Sequence, residues 1–480
     1  MEADSEVIYV IFILYSNCYG IAVCYPGATI FRFILVNCNP APPTNKNNNH
    51  EIWPKCHLYH TFFFIFEETF YDAFDYLMML LKKYIYIYIF FVFVVHVISM
   101  HSNKSLNFMC IHFGLVTIKI EDVRLLSADF AAAAVLISFG AVLGKTNPTQ
   151  LIIMTLIEIP VFAINEVIGR TYLGAADMGD SMFVHAFGAY FGLAVSLALA
   201  RGDQSTDKEG STKTSDTFAM IGTVFLWLYW PSFNAGAAVG DDQHRAIINT
   251  YVSLAFCCCT AFAVSCLISG EKKFDMVHIQ NSTLAGGVAI GTAADMMVQP
   301  WGAALTGIVA GVISVCGYEF LTPAIHRLLK IHDTCGVHNL HGMPALLAGI
   351  IGCIVAGMAE EDTYGYGLYQ LFPHRVPAED TDKYAEIAAA GMGLDPSDGW
   401  TASHQAGMQI LALAITMAFA LVGGVLTGLV LRLPLWNDMT TTELYEDIKY
   451  WKVEDEEEGG HEGIPMEADP SEREKLNTAR

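Results

Sequence analysis

The amino-acid sequence predicts an all-α polytopic membrane protein, on three observations. The chain of 480 residues is 53% hydrophobic, with a positive mean hydropathy. Only 16% of its residues are charged, too few to solvate a soluble domain of this size. Apolar runs of roughly 18 to 25 residues recur between residues 126 and 432, each long enough to cross a hydrocarbon core of ~30 Å.

Taken in order, the runs place spans at 126–144, 149–167, 181–200, 217–235, 246–268, 281–298, 300–319, 338–358 and 405–432. Gly and Ala are mixed among their larger aliphatic residues, and Gly287-x3-Gly291 and Gly424-x3-Gly428 are spacings that let helix backbones approach closely. Under strict alternation Lys145, Arg201, Lys208, Lys213, Lys272, Lys273, Arg327, Lys330 and Arg432 share one side. Arg170, Arg245, Arg375 and Lys383 lie on the other. The richer side is expected to be cytoplasmic, which puts the C-terminal tail inside and the 359–404 loop outside.

Three regions are expected: a divergent N-terminal region with candidate transmembrane helices at 1–105, a core at 106–435, and an acidic cytoplasmic tail at 436–480. The first region holds an Asn-rich stretch (Asn45 to Asn49) and a strict Tyr-Ile alternation from Tyr84 to Ile89. A repeated TA dinucleotide would encode that alternation, so the segment reads either as translated intron or as a divergent pair of spans. A transcript continuous through codons 84 to 100 separates the two. The acidic start (Glu2, Asp4, Glu6) has no basic n-region of a secretory signal. Asn103-Lys-Ser105 is a sequon usable only outside the cell, whereas Asn281-Ser-Thr283 starts a span from the cytoplasmic side and is expected to carry no glycan.

The net charge of −23 collects in the late loop (Glu360, Glu361, Asp362, Glu379, Asp380, Asp382) and in the tail (Glu454 to Glu458). Such runs are ordinarily solvated; here they could also draw cations to one mouth of a pore. No nucleic-acid partner is expected. The twelve cysteines lie mostly in apolar segments, and consecutive Cys257, Cys258 and Cys259 point in different directions around a helix. They read as inert thiols, without a metal cage, a CxxC pair or a disulfide framework.

Ionisable residues inside a span are costly and therefore candidates for function. His185 follows Asp180 and His338 follows Asp333, each as D-x4-H with Val before the His, on spans that run in opposite directions. That resemblance is what an inverted repeat with a site near the midplane produces. A lone buried histidine is ordinarily just a satisfied imidazole; two in matching contexts favour function. A zinc reading of His338, His341 and Asp333 lacks further ligands. Phe130 at the outer start of one span and Phe233 at the outer end of another fall at similar depth. Stacked rings there would block water and ions, although spacing alone favours lipid-facing or packing aromatics.

Ala128-Asp-Phe130, Val184-His-Ala-Phe-Gly-Ala-Tyr-Phe-Gly192, Phe225-Leu-Trp-Leu-Tyr-Trp-Pro-Ser-Phe-Asn234, Asp275-Met-Val-His-Ile-Gln-Asn281 and Asp333-Thr-Cys-Gly-Val-His-Asn-Leu-His-Gly342 resemble the Rhesus glycoproteins of the Amt/Mep/Rh ammonium transporter superfamily. The resemblance covers residues 117 to 432. It implies 11–12 transmembrane helices: a core of two inverted five-helix repeats plus one helix, with an extra N-terminal helix in Rhesus members. It also implies a homotrimer in the plasma membrane with one pore per subunit. By this resemblance His185 and His338 are the twin pore histidines, and Phe130 and Phe233 the phenylalanine gate. Asp177, Asp333 and Asn234 support the upper pore and ammonium recruitment. Two features depart from the pattern: of the first core helices only Tyr76 to Tyr84 is faintly similar, and Asp180 stands where a small residue is expected.

The implied function is ammonium transport, not enzymatic chemistry, and no cofactor is expected. A desolvated cation costs far more to bury than neutral ammonia. A selective passage therefore attracts ammonium at an acidic mouth, with Asp177 joined by Asp180, strips a proton and passes the neutral base. Two imidazoles can share one hydrogen bond while offering donor and acceptor sites to ammonia. The alternatives are a carbon dioxide channel and a non-conducting Rhesus-type scaffold. The acidic tail is a candidate for a cytoskeletal partner.

Overall fold

The computed structural model describes residues 9–15, 18–24, 122–200, 209–436, 439–440, 442–446 and 450. The chain divides into two compact units, Met1–Ile85 and Tyr86–Arg480. In the first, β1 (Tyr9–Tyr15) pairs antiparallel with β2 (Cys18–Cys24), a short ribbon instead of a helix. The Tyr-Ile repeat, the faint match at Tyr76 to Tyr84 and the Asn103 sequon lie outside the described residues, as does most of the tail.

The second unit is helical. α1 (Asp122–Val142), α2 (Pro148–Tyr172), α3 (Ser181–Leu199), α4 (Lys213–Ala235) and α5 (Asp241–Ile268) follow one another closely. After them come the short α6 (Met276–Ser282) and α7 (Ala285–Gly291), then α8 (Gln299–Leu329), α9 (His338–Gly357) and α10 (Ala402–Leu431). Six of these, α2, α3, α5, α8, α9 and α10, are long and apolar enough to cross a membrane. Between α9 and α10 the chain forms only short helical turns, the longest Asp382–Ala389.

Local sequence accounts for the helix starts. Asn147 and Gln150 cap each other at the start of α2, with Pro148 at the first turn, where its missing N–H costs nothing. Thr212 and Ser215 do the same for α4, and Asp275 accepts the N–H groups of Val277 and His278 at α6.

The span expected at 281–298 is broken. α6 ends at Ser282, α7 is a fully buried helix of seven residues, and turns follow through Met296. Backbone groups freed at a break inside a membrane need partners from neighbouring helices. Cys257 of α5 supplies two: its thiol donates to Ser282 O at 3.0 Å and accepts from Gly286 N at 3.1 Å. Cys258 and Cys259 turn progressively outward. Cys257→Ser keeps a donor and acceptor there and is expected to purify as folded protein, whereas Cys257→Leu is expected to aggregate on size-exclusion chromatography.

α3 lies at the centre. Cβ atoms at Gly424 and Gly428 of α10 would strike Phe191 O and the Ala198 methyl of α3, so that glycine pair sets the α3–α10 separation. On the other flank Ser138 Oγ of α1 sits 2.8 Å from Gly188 O of α3 and 2.5 Å from Glu158 Oε1 of α2. α3 is thereby held from two sides, by α10 and by α1, and it carries His185.

Candidate functional site

Both candidate histidines begin their helices in π-helical turns, Ser181–Ala186 and His338–Gly342, the widened turns often found at functional positions. The Asp177 carboxylate prepares the first. It accepts from the N–H groups of Ser181 (3.1 Å), Met182 (2.8 Å) and Phe183 (3.1 Å), and from Thr292 Oγ1 (2.6 Å). Burial pushes this carboxyl up, while the Arg170 guanidinium and those hydrogen bonds oppose the rise. All four interactions are internal, and they shape the start of α3.

Asp333 performs the same work for α9, accepting from Val337 N at 3.0 Å and His338 N at 2.9 Å. Burial raises its carboxyl as well, opposed by those N–H groups and by Lys145. Lys145 is itself buried, which pushes its amine down to about 8 against the pull of Asp333 and Glu209. It donates to Ser196 Oγ (2.9 Å) and His332 O (2.8 Å) and meets His332 Nδ1 at 3.2 Å, tying the end of α1 to the loop before α9. Lys145→Met removes this tie and is expected to increase hydrogen exchange at Val337 and His338.

The two expected aromatics meet. Phe130 and Phe233 are edge-to-face with centroids 4.9 Å apart, and Phe233 lies 5.5 Å from the His185 ring. Trp230, one turn before Phe233, stacks on His185 at 5.6 Å. Both are residues of the Trp-Pro-Ser-Phe-Asn segment, in which Pro231 lies inside α4.

The expected pairing of His185 with His338 is not what the fold makes. His185 Nδ1 lies 3.0 Å from Nδ1 of His341, with the rings nearly parallel and 5.1 Å apart. His338 is instead edge-on to Tyr190 at 5.7 Å. The cause is register. His341 follows His185, Asp333 follows Asp177, and Gly336 follows Asp180, all by the same 156 residues. Asp180 and Gly336 both adopt positive φ, at 53° and 69°. The repeated unit is therefore D-x7-H with a left-handed third residue after the Asp, and the D-x4-H match is out of step by one helical turn. His338, His341 and Asp333 turn to separate partners.

Asp180, expected to add charge at the mouth, is 1% exposed in its side chain and ion-paired with Arg170. Asn234 is buried. Its amide donates to Thr250 Oγ1 and Gly287 O, both at 3.0 Å, joining α4 to α5 and α7. Its Oδ1 and His185 Nε2 have no hydrogen-bond partner among the described residues.

Helices of membrane-crossing length around a buried to half-buried column of phenylalanine and imidazole rings define a membrane transport protein. The sequence profile of the Ammonium Transporter Family matches residues 46–448, starting well before residue 117, and the chain belongs to that family. An ammonium transporter Rh type B-A of Xenopus laevis is 47% identical over 399 residues, covering 82% of each chain. An Rh type B transporter of Danio rerio is 41% identical over 465 residues, covering 96% of this chain and 95% of its own. Among solved structures, Nitrosomonas europaea Rh50, described as one of the Rhesus family of channels, is similar with a TM-score of 0.59 at 31% identity. That match covers 82% of this chain and 88% of the other. A sensor Amt protein shares the fold at a TM-score of 0.55 and 21% identity.

Proposed function

We propose that this ammonium transporter passes neutral ammonia after taking up ammonium at its outer vestibule. The observation that carries the reading is the imidazole pair of His185 and His341 directly against the Phe130–Phe233 contact. A shared Nδ1–Nδ1 hydrogen bond needs one ring to donate and one to accept, so at most one ring is an imidazolium. The remaining ring nitrogens offer a donor and an acceptor to a small polar base. The Phe rings close the passage to hydrated ions, and sodium and potassium have no proton to surrender on entry.

In this reading Phe130 and Phe233 form the gate, with His185 and His341 as the pore histidines. Asp177, Asp333 and Asn234 hold the turns that present them. The protein works as a homotrimer in the plasma membrane with its C-terminus in the cytoplasm, as the distribution of basic residues supports.

The test is methylammonium uptake with intracellular pH recorded in oocytes expressing the full chain or His185→Ala at equal surface density. The variant is expected to lose electroneutral conduction, and wild-type conduction in it overturns the reading. A carbon dioxide route has no proton to exchange, so it predicts gas flux indifferent to His185→Ala. A scaffold predicts no flux from either protein.

A further inference from the structure

Arg170 has no role in the pore outlined above, yet it touches everything that starts α3. From the end of α2 its Nη2 donates to Asp177 O at 3.2 Å and pairs with Asp180 Oδ1, while Nε donates to Glu166 Oε1 at 3.1 Å. Its guanidinium carbon lies 5.1 Å above the Phe183 ring. Asp180 closes the circuit, because its backbone carbonyl accepts from Val184 N at 2.9 Å and from His185 N at 3.2 Å.

The equivalent turn before α9 is built otherwise. There the left-handed position is Gly336, and the Tyr318 hydroxyl donates to Gly336 O at 3.0 Å. Left-handed backbone suits glycine and strains a residue with a side chain. An aspartate at position 180 is therefore conformationally the poorer choice, and its burial adds a charge that needs a partner. Arg170 answers both: it neutralises Asp180 and fastens the turn, as the uncharged Tyr318 hydroxyl does for the glycine turn before α9.

We infer that Arg170 and Asp180 are a coupled positioning pair, which locks the Asp177–Asp180 turn so that His185 meets His341. The inference rests on the proposed ammonia pore only for its transport readout. Neither side chain touches the imidazole pair; Asp180 reaches His185 only through its backbone carbonyl, so the effect runs through the backbone of residues 177–185.

The experiment is a double-mutant cycle of Arg170→Met, Asp180→Gly and the double variant in the full chain. It is read by methylammonium uptake and by hydrogen exchange at the Ser181–Phe183 amides in purified protein. Arg170→Met strands a buried carboxylate, and is expected to lower maximal uptake about tenfold, equivalent to ~1.4 kcal/mol, and to deprotect those amides. Asp180→Gly leaves Arg170 its Glu166 partner and is expected to be milder. The double variant, with a glycine turn as before α9 and no stranded charge, is expected to recover much of what Arg170→Met loses. Unchanged exchange and uptake in Arg170→Met overturn the inference. So does a double variant no better than Arg170→Met. If the wild type carries no ammonia, the pore reading fails while the exchange cycle still decides the coupling. If Arg170→Met yields no folded protein, Asp180→Gly and the double variant decide it: a double variant that is folded and protected supports the pair, and one that is not opposes it.

Discussion

His341→Ala is expected to abolish methylammonium uptake, whereas His338→Ala is expected to retain most of it. The two histidines are three residues apart in one π-helical turn, and only the second reaches His185, at 3.0 Å between Nδ1 atoms. Removing it takes away the one side-chain partner of His185 Nδ1 among the described residues, leaving both nitrogens of a buried ring unsatisfied. An unpaired buried polar group of this kind costs about 1–3 kcal/mol, and the passage also loses half of its donor and acceptor set. His338→Ala removes an edge-on contact with Tyr190, worth about 0.5–1.5 kcal/mol in packing, and leaves the pair intact. Uptake measured at equal surface expression separates the two variants. Equal loss in both would show that the column continues functionally through His338.

Asp177→Ala is expected to give the largest loss of folded protein of any single change in this region. The substitution orphans three backbone N–H groups and the Thr292 hydroxyl, all buried, at about 1–3 kcal/mol each. Asp177→Asn should be intermediate. Its amide oxygen can keep the Ser181 and Thr292 bonds, but its NH2 then faces the Met182 and Phe183 donors. The check is the thermal midpoint in detergent by fluorescence-detected size exclusion, with the order wild type, Asn, Ala. An Asn variant as stable as the wild type would mean that water replaces the second oxygen. Direct recruitment of ammonium by Asp177 predicts something different: a weakened apparent affinity in Asp177→Asn without loss of stability.

Much of this organisation was legible in the chain. Eight of the nine expected spans match continuous helices, because a helix that crosses lipid must be long and apolar and leaves that demand written in composition. The Phe130–Phe233 meeting could be expected too, because alternating spans put the start of one beside the end of another. The remaining span, 281–298, misled because α7 is as apolar as its neighbours. Nothing in hydropathy shows that a cysteine on α5 will satisfy the backbone at a break before Gly286. A signal for His341 was present in the D-x7-H spacing, but D-x4-H is also in the chain and pairs more similar neighbours.

Composition and periodicity thus specify a bundle of membrane-crossing helices and the residues that cannot sit in lipid without a reason. Which of those residues meet is a matter of helix rotation and depth. A single turn of α9 exchanges His338 for His341 with no change in hydropathy, and the choice is made by Asp333 and Gly336 at the start of that helix. Asp180 teaches the same lesson from the other side. In sequence it is one more acid near a mouth, but ten residues earlier in the chain Arg170 is folded back onto it, and the charge is gone.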